Sequence, residues 1–164
     1  MGYMSIEHLY KCPDFFLIQD QICAMEKIHG TSTWIFTDGF KFEYHSGAET
    51  TESFGKLFDK DFINEELKKI LREYNWVTIK VHGEAYGSKQ QKMKDTYGDI
   101  LKFIVFDIKI NNNDSEFFLN VHQAEEIASR LKQEFVSYCI GPNTPEWIEE
   151  QTNLPSVQAE RNGM

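Results

Sequence analysis

Ser32-Thr33-Trp34-Ile35-Phe36-Thr37-Asp38-Gly39-Phe40-Lys41-Phe42-Glu43-Tyr44 is a pair of aromatic and β-branched runs around an Asp-Gly step. Asp and Gly both tolerate positive φ, so the step predicts a two-residue turn, with 32–36 and 40–44 as the arms of an antiparallel hairpin. Further along, Trp76-Val77-Thr78-Ile79-Lys80-Val81-His82 alternates as a strand, and 103–110 reads the same way. Between them, Phe62, Ile63, Leu67, Ile70 and Leu71 recur at helical spacing and predict a helix over 61–74 capped by Asp61. Residues 111–114 read as a turn, 117–119 as a short strand, 121–135 as a second amphipathic helix and 135–140 as a final strand. Thr144-Pro145 opens a short helix, with Thr as cap and Pro in the first helical position. Two short apolar runs in 15–28 are expected to enter a sheet, and 155–164 shows no helix or strand to dock it. Strands outnumber helices and often follow one another directly. The expected class is therefore α+β, with mainly antiparallel sheets and flanking helices, and too few crossing helices for a doubly wound parallel sheet.

The chain has 164 residues, 41% of them hydrophobic, which is ample for one domain with a buried core. No repeat, low-complexity tract or interdomain linker interrupts it. Its formal net charge of −9 argues against a protein that coats nucleic acid by charge alone, so any such role needs a local site. Cys12, Cys23 and Cys139 are odd in number, widely spaced and without a CxxC pair. This excludes a disulfide scaffold and a four-cysteine zinc site, and it points to a reducing, cytoplasmic setting. No apolar run is long enough for a membrane helix, and the first residues lack a secretory layout.

The segment with the most chemistry is Glu26-Lys27-Ile28-His29-Gly30-Thr31-Ser32. A lysine leaving a strand can project its amine into a cleft, and a glycine three residues later lets backbone approach a ligand. Such an amine attacks phosphorus only when unprotonated. A bare KxxG reads equally as a surface lysine beside a turn glycine. Here it resembles the nucleotide-binding lysine motif of covalent nucleotidyltransferases, specifically the phage-type ATP-dependent RNA ligases that seal nicks in duplex RNA. Three further segments resemble that family in the expected order. They are Tyr3-Met4-Ser5-Ile6-Glu7, Gly83-Glu84-Ala85-Tyr86-Gly87, and Tyr97-Gly98-Asp99 with Phe103-Ile104-Val105-Phe106-Asp107-Ile108.

The resemblance implies a nucleotidyltransferase (ATP-grasp-like ligase) domain in which Lys27 forms a lysyl-AMP intermediate from ATP. Glu26 and Ile28, flanking the lysine on a strand, would present main chain to adenine, Glu84 would hold the ribose and Phe106 would stack on the base. Gly30, Ser32 and Tyr3 would complete the nucleotide site, and Lys27, Glu84 and Phe106 are expected to line one cleft. Taken alone, Glu84 reads as a solvated carboxylate, and either phenylalanine of 103–106 as plain core; alternation does not separate these. His29 stands where the wider superfamily has Asp, which is familiar among RNA ligases. Ser32 replaces a frequent Asn, and His45 an expected Arg that would clamp phosphate bidentately. The implied cofactors are ATP and Mg²⁺, with no metal ligand assignable, and the implied partners are nicked or duplex RNA ends, not a membrane. The implied location is the cytosol of a phage-infected or host cell.

The family's fourth motif, a metal-positioning glutamate, and its fifth, a phosphate-binding KxK, would fall beyond Met164. The domain is thus expected to be C-terminally incomplete, residues 1–164 being its N-terminal portion, and completed by a missing segment or a second chain. The alternatives are a non-catalytic fragment that holds an adenine nucleotide or an RNA end, and a split half.

Overall fold

The computed structural model describes residues 3–161 apart from Ile6, Pro13 and Glu49. Two antiparallel sheets organise it. The larger is built around the hairpin β2 (Thr31–Thr37) and β3 (Phe42–Ser46), continued by β4 (Thr78–Tyr86), β5 (Lys102–Asn111) and β6 (Glu116–Phe118) in the order β3-β2-β4-β5-β6. A two-residue strand, β7 (Glu134–Phe135), adds to β5 in parallel. The smaller sheet pairs β1 (Gln21–Met25) with β8 (Tyr138–Pro142).

One face of the large sheet is the core. Thr33, Ile35, Ile79, Val81, Ile108 and Ile110 alternate onto it and are fully buried. They meet α2 (Thr51–Phe54) through its buried Phe54, α3 (Lys60–Tyr74), whose Ile63, Leu67 and Ile70 are likewise fully buried, and α5 (Val121–Arg130) with Leu131 behind it. The other face carries Ser32, Trp34, Phe36, Lys80, His82, Glu84, Asp107 and Lys109, as the register requires. It is the face on which a site can be built.

Several boundaries differ from the sequence reading, each for a local reason. The tight turn of the hairpin centres on Gly39-Phe40, one residue later than expected, because Thr37 pairs with Phe42. Asp38 sits before the turn, and its Oδ1 accepts from the N–H groups of Phe40 and Lys41 at 2.9 and 2.7 Å. Helix α3 is capped by Asp59, not Asp61; the Asp59 carboxylate accepts from Phe62 N–H at 3.0 Å. Helix α5 stops at Arg130 instead of running to 135, since Lys132 turns to φ +56° and the chain enters β7. The final strand, expected over 135–140, is β8 at Tyr138–Pro142, beyond that two-residue strand. Residues 15–18 form a helical turn, α1 (Phe15–Ile18), so only the second apolar run of 15–28 enters a sheet. The short helix α4 (Lys94–Tyr97) lies between β4 and β5. Helix α6 (Pro145–Thr152) begins as expected, with Thr144 Oγ1 accepting from Trp147 N–H.

The C-terminal stretch is docked, contrary to expectation, by α7 (Val157–Arg161). Gln158 is only 2% exposed, and its amide donates to the Tyr86 hydroxyl (2.6 Å) and to Glu134 (3.2 Å). Residues 162–164 lie outside the described residues. No helix among the described residues is long and apolar enough to cross a membrane.

Candidate active site

Strand β1 ends at Met25, so Glu26, Lys27, Ile28 and His29 form a connecting loop, not the strand expected for them. The loop crosses from the small sheet to the large one. Ile28 turns inward, 8% exposed in the core cluster, while Lys27 is exposed. This in-out alternation pins the loop from beneath and leaves the amine free to face a ligand. The Glu26 side chain reaches the C-terminal stretch. It accepts from the Ser156 hydroxyl and from Gln158 N–H, and so caps α7.

Gly30 and Glu84 join the loop to the sheet. Gly30 N–H donates to Glu84 Oε1 at 3.0 Å. A Cβ on Gly30 would overlap the Ala85 carbonyl, so only glycine lets β2 start this close to β4. Burial pushes the Glu84 carboxyl up to about 7, against the opposing pull of the Gly30 hydrogen bond and of the Lys27 charge. Lys27, Gly30 and Glu84 are thereby brought together. Ser32 is exposed and sits directly opposite Glu84 in the β2–β4 register.

Phe106 owes its position to a bulge. His82 pairs with Asp107 and Gly83 with Val105, which leaves Phe106 as the extra residue of β5. Phe103 lies in the core, 5.1 Å from Phe54 between ring centres, whereas Phe106 is half-buried beside His82 and Tyr3. Counted back from Ile108, unbroken alternation would turn Phe106 to the core and Phe103 to the open face; the bulge reverses this. Gly83, at the bulge, admits no Cβ, because the Ile104 carbonyl and the Phe103 ring fill that space. Tyr3 lies over the sheet, its ring edge-on to Phe106 at 4.9 Å, and its hydroxyl donates to Asp107 Oδ2 at 2.7 Å. Ile6, in the same N-terminal segment, lies outside the described residues.

Lys27, Glu84 and Phe106 follow one another from the loop onto the open face of the sheet. Lys27 lines a cavity of about 710 Å³ between the small sheet and the segment from α6 to α7, together with Glu26, His29, Tyr97 and Ser156. Neither Glu84 nor Phe106 lines it. Glu84 reaches the lysine through Gly30 and through charge, and Phe106 stands one step further along the sheet face. The sequence reading missed Tyr97 as a contact of the loop: its hydroxyl meets the His29 backbone and the Ser156 side chain, and burial raises its pKa. It also missed Asp107 as the partner of Tyr3, and His82. Tyr97, in Tyr97-Gly98-Asp99, and Asp107, in Phe106-Asp107-Ile108, both belonged to segments already singled out. Among the described residues, no group of three or more His, Cys, Asp or Glu could hold a metal ion.

Comparison with known proteins bears on this arrangement. The RNA ligase family model matches residues 20–163. An archaeal ATP-dependent RNA ligase (form 2) superposes with a TM-score of 0.58 at 18% identity, covering 87% of this chain and 38% of that one. A lysine-to-alanine mutant of Naegleria gruberi RNA ligase, solved with ATP and Mn, gives a TM-score of 0.62 at 14% identity, covering 90% of this chain and 46% of that one. At such identity the likeness shows the fold, an open nucleotidyltransferase-type arrangement of helices and antiparallel sheet. The chain spans less than half the length of either structure. No curated protein matches this chain in sequence.

Proposed function

The chain belongs to the RNA ligase family, and on that premise we propose that residues 1–164 are the N-terminal portion of the nucleotidyltransferase domain of an ATP-dependent RNA ligase. The observation that carries the reading is the junction of Lys27, Gly30 and Glu84. It places a nucleophilic amine two residues beyond a strand, beside a carboxylate already fixed by a backbone N–H.

In this reading the neutral Lys27 amine attacks the α-phosphorus of ATP. A P–N bond forms, the bond to the β-phosphate oxygen breaks, and pyrophosphate leaves with the electron pair while the amine loses a proton. A 5′-phosphate oxygen of RNA then displaces the lysine, and the 3′-hydroxyl of the adjoining end displaces AMP to close the strand. Glu84 has one oxygen held by Gly30, and the other is the acceptor assigned to the ribose hydroxyls. Phe106 is the aromatic face assigned to adenine, where stacking contributes roughly 1–3 kcal/mol. Main-chain groups of Glu26 and Ile28 are assigned to the adenine edge, with Gly30 and Ser32 beside the ribose. Tyr3, hydrogen-bonded to Asp107, orients the Phe106 ring from the far side. The described residues do not assemble a Mg²⁺ site, so no step is given to the ion.

The test is sealing of a nicked RNA duplex with a 3′-hydroxyl and a 5′-phosphate by the natural full-length protein with ATP and Mg²⁺. ATP-dependent sealing that is lost in Lys27→Ala supports the proposal. Adenine-nucleotide binding without sealing by the wild-type protein would favour the non-catalytic fragment instead.

A further inference from the structure

A second cavity, of about 690 Å³, lies on the same sheet face beyond Phe106, roofed by Tyr3 and floored by Lys80, His82 and Lys109, with Phe36 and Phe118 at its sides. Its centre on β4 is Lys80, four residues from Glu84, or roughly 13 Å along the strand.

Three features of this cavity go unused by the chemistry assigned to Lys27. His82 is 3% exposed and lines the cavity, and its Nδ1 is buried with no hydrogen-bond partner among the described residues. A buried polar atom without a partner is costly unless a ligand or water supplies one. Burial, with Lys80 and Lys109 nearby, pushes the imidazole down to about 4, so near neutrality it is uncharged and can donate from one nitrogen and accept at the other. Next, two ammonium groups converge on one site in a chain of net charge −9. Lys80 stands 4.2 Å from the Trp34 ring centre, and Lys109 pairs with Glu116 near the Phe118 ring. Finally, the walls offer aromatic rings. Aromatic faces, cations and one polar reader are the groups that recognise a nucleotide within a flexible strand.

We propose that this cavity is a second nucleotide site, taking one nucleotide of an RNA strand outside the adenylate pocket. Its base lies against Phe36 and Phe118 with an edge to His82, and its phosphate lies between Lys80 and Lys109. The inference rests on the ligase reading for its choice of RNA, but its residues do not overlap Lys27 and Glu84. Tyr3, shared by the cavity wall and the Phe106 contact, links the two sites. The phosphate must compete with Glu116 for Lys109.

The probe is a fluorescently labelled single-stranded RNA a dozen nucleotides long, titrated into the natural full-length protein by anisotropy over a range of salt. Replacing both Lys80→Gln and Lys109→Gln should weaken binding at least tenfold and flatten the log-affinity against log-salt slope by about 0.7, one phosphate's worth for a single strand. Phe36→Ala should weaken binding about 5- to 100-fold with the salt slope unchanged. The charge control, Lys56→Gln with Lys69→Gln on the opposite side of the sheet, should do neither. Saturating AMP should leave RNA bound. Unchanged RNA affinity and slope in the lysine pair, or an inert Phe36→Ala, overturns the site, and so does full displacement by AMP. Lysyl-AMP formation is measured on the same variants. Loss of the adduct in the wild type with intact RNA effects would sink the ligase reading alone, and normal adduct with unchanged RNA binding would sink this proposal alone.

Discussion

Glu84 serves two partners with opposite demands. Burial favours its neutral form, while the Gly30 N–H and the Lys27 charge favour the carboxylate, and the balance leaves it titrating at about 7. Its folded value lies above the ordinary 4.5, so the folded state holds this proton more tightly than the unfolded chain does. The associated stability is complete below about pH 4.5 and is lost as pH rises through 7. Glu84→Gln should therefore raise the melting temperature at about pH 8 and have little effect at about pH 4.5. An equal effect at both pH values would contradict the burial argument. Adenosine nucleotide binding should strengthen from about pH 6 to pH 8 in the wild type, as the carboxylate becomes available to accept from ribose, and stay flat in Glu84→Gln. Isothermal titration at several pH values measures this. At this scale Lys27, Gly30 and Glu84 were legible only through the resemblance of their segments to the family's motifs, since each alone reads equally as a surface residue. Alternation alone would have put Phe106 in the core and Phe103 on the open face, because a bulge is a property of paired strands and leaves no mark in one of them.

Among the elements, the amphipathic helix and the hairpin were the most legible, since each is set by local periodicity and turn chemistry. Helix α3 buries Ile63, Leu67 and Ile70 fully against the large sheet. Leu67→Ala should cost about 2–5 kcal/mol in chemical denaturation, from lost burial plus the cavity left behind. A loss well under that range would mean that this helix is not the main cover of the core. Helix α7 was not legible, because five residues carry too little periodicity and its anchors are remote in sequence: Glu26, Tyr86 and Glu134. Glu26→Ala removes the cap and should cost about 1 kcal/mol. It should also speed deuterium uptake across 156–161 while leaving α3 protected. Unchanged uptake there would show that Glu26 does not hold the helix. The overrun of α5 has a related cause: the chain past Arg130 keeps a helical pattern of apolar residues, but β5 offers an edge that captures Glu134 and Phe135.

For the molecule as a whole, the small sheet is the exposed feature. Only β1 and β8 pair in it, so each strand has a free edge among the described residues, and Met25 and Ile140 are 40% and 45% exposed. A two-stranded sheet is marginal unless something covers it. The 164-residue chain alone is expected to self-associate as concentration rises, as light scattering would show; a monodisperse monomer with a sharp, high melting transition would contradict this. The family was legible at this scale because four short segments occur in order, and the family model extends the likeness to residue 163. The central claim is that Lys27 is the nucleophile, and peptide mass spectrometry of the natural full-length protein after ATP and Mg²⁺ and an acid quench tests it most directly. The account predicts one AMP on the peptide carrying Lys27, absent from Lys27→Ala and from Lys27→Arg, whose guanidinium stays protonated. An adduct on another residue, or one that survives in either variant, would contradict it.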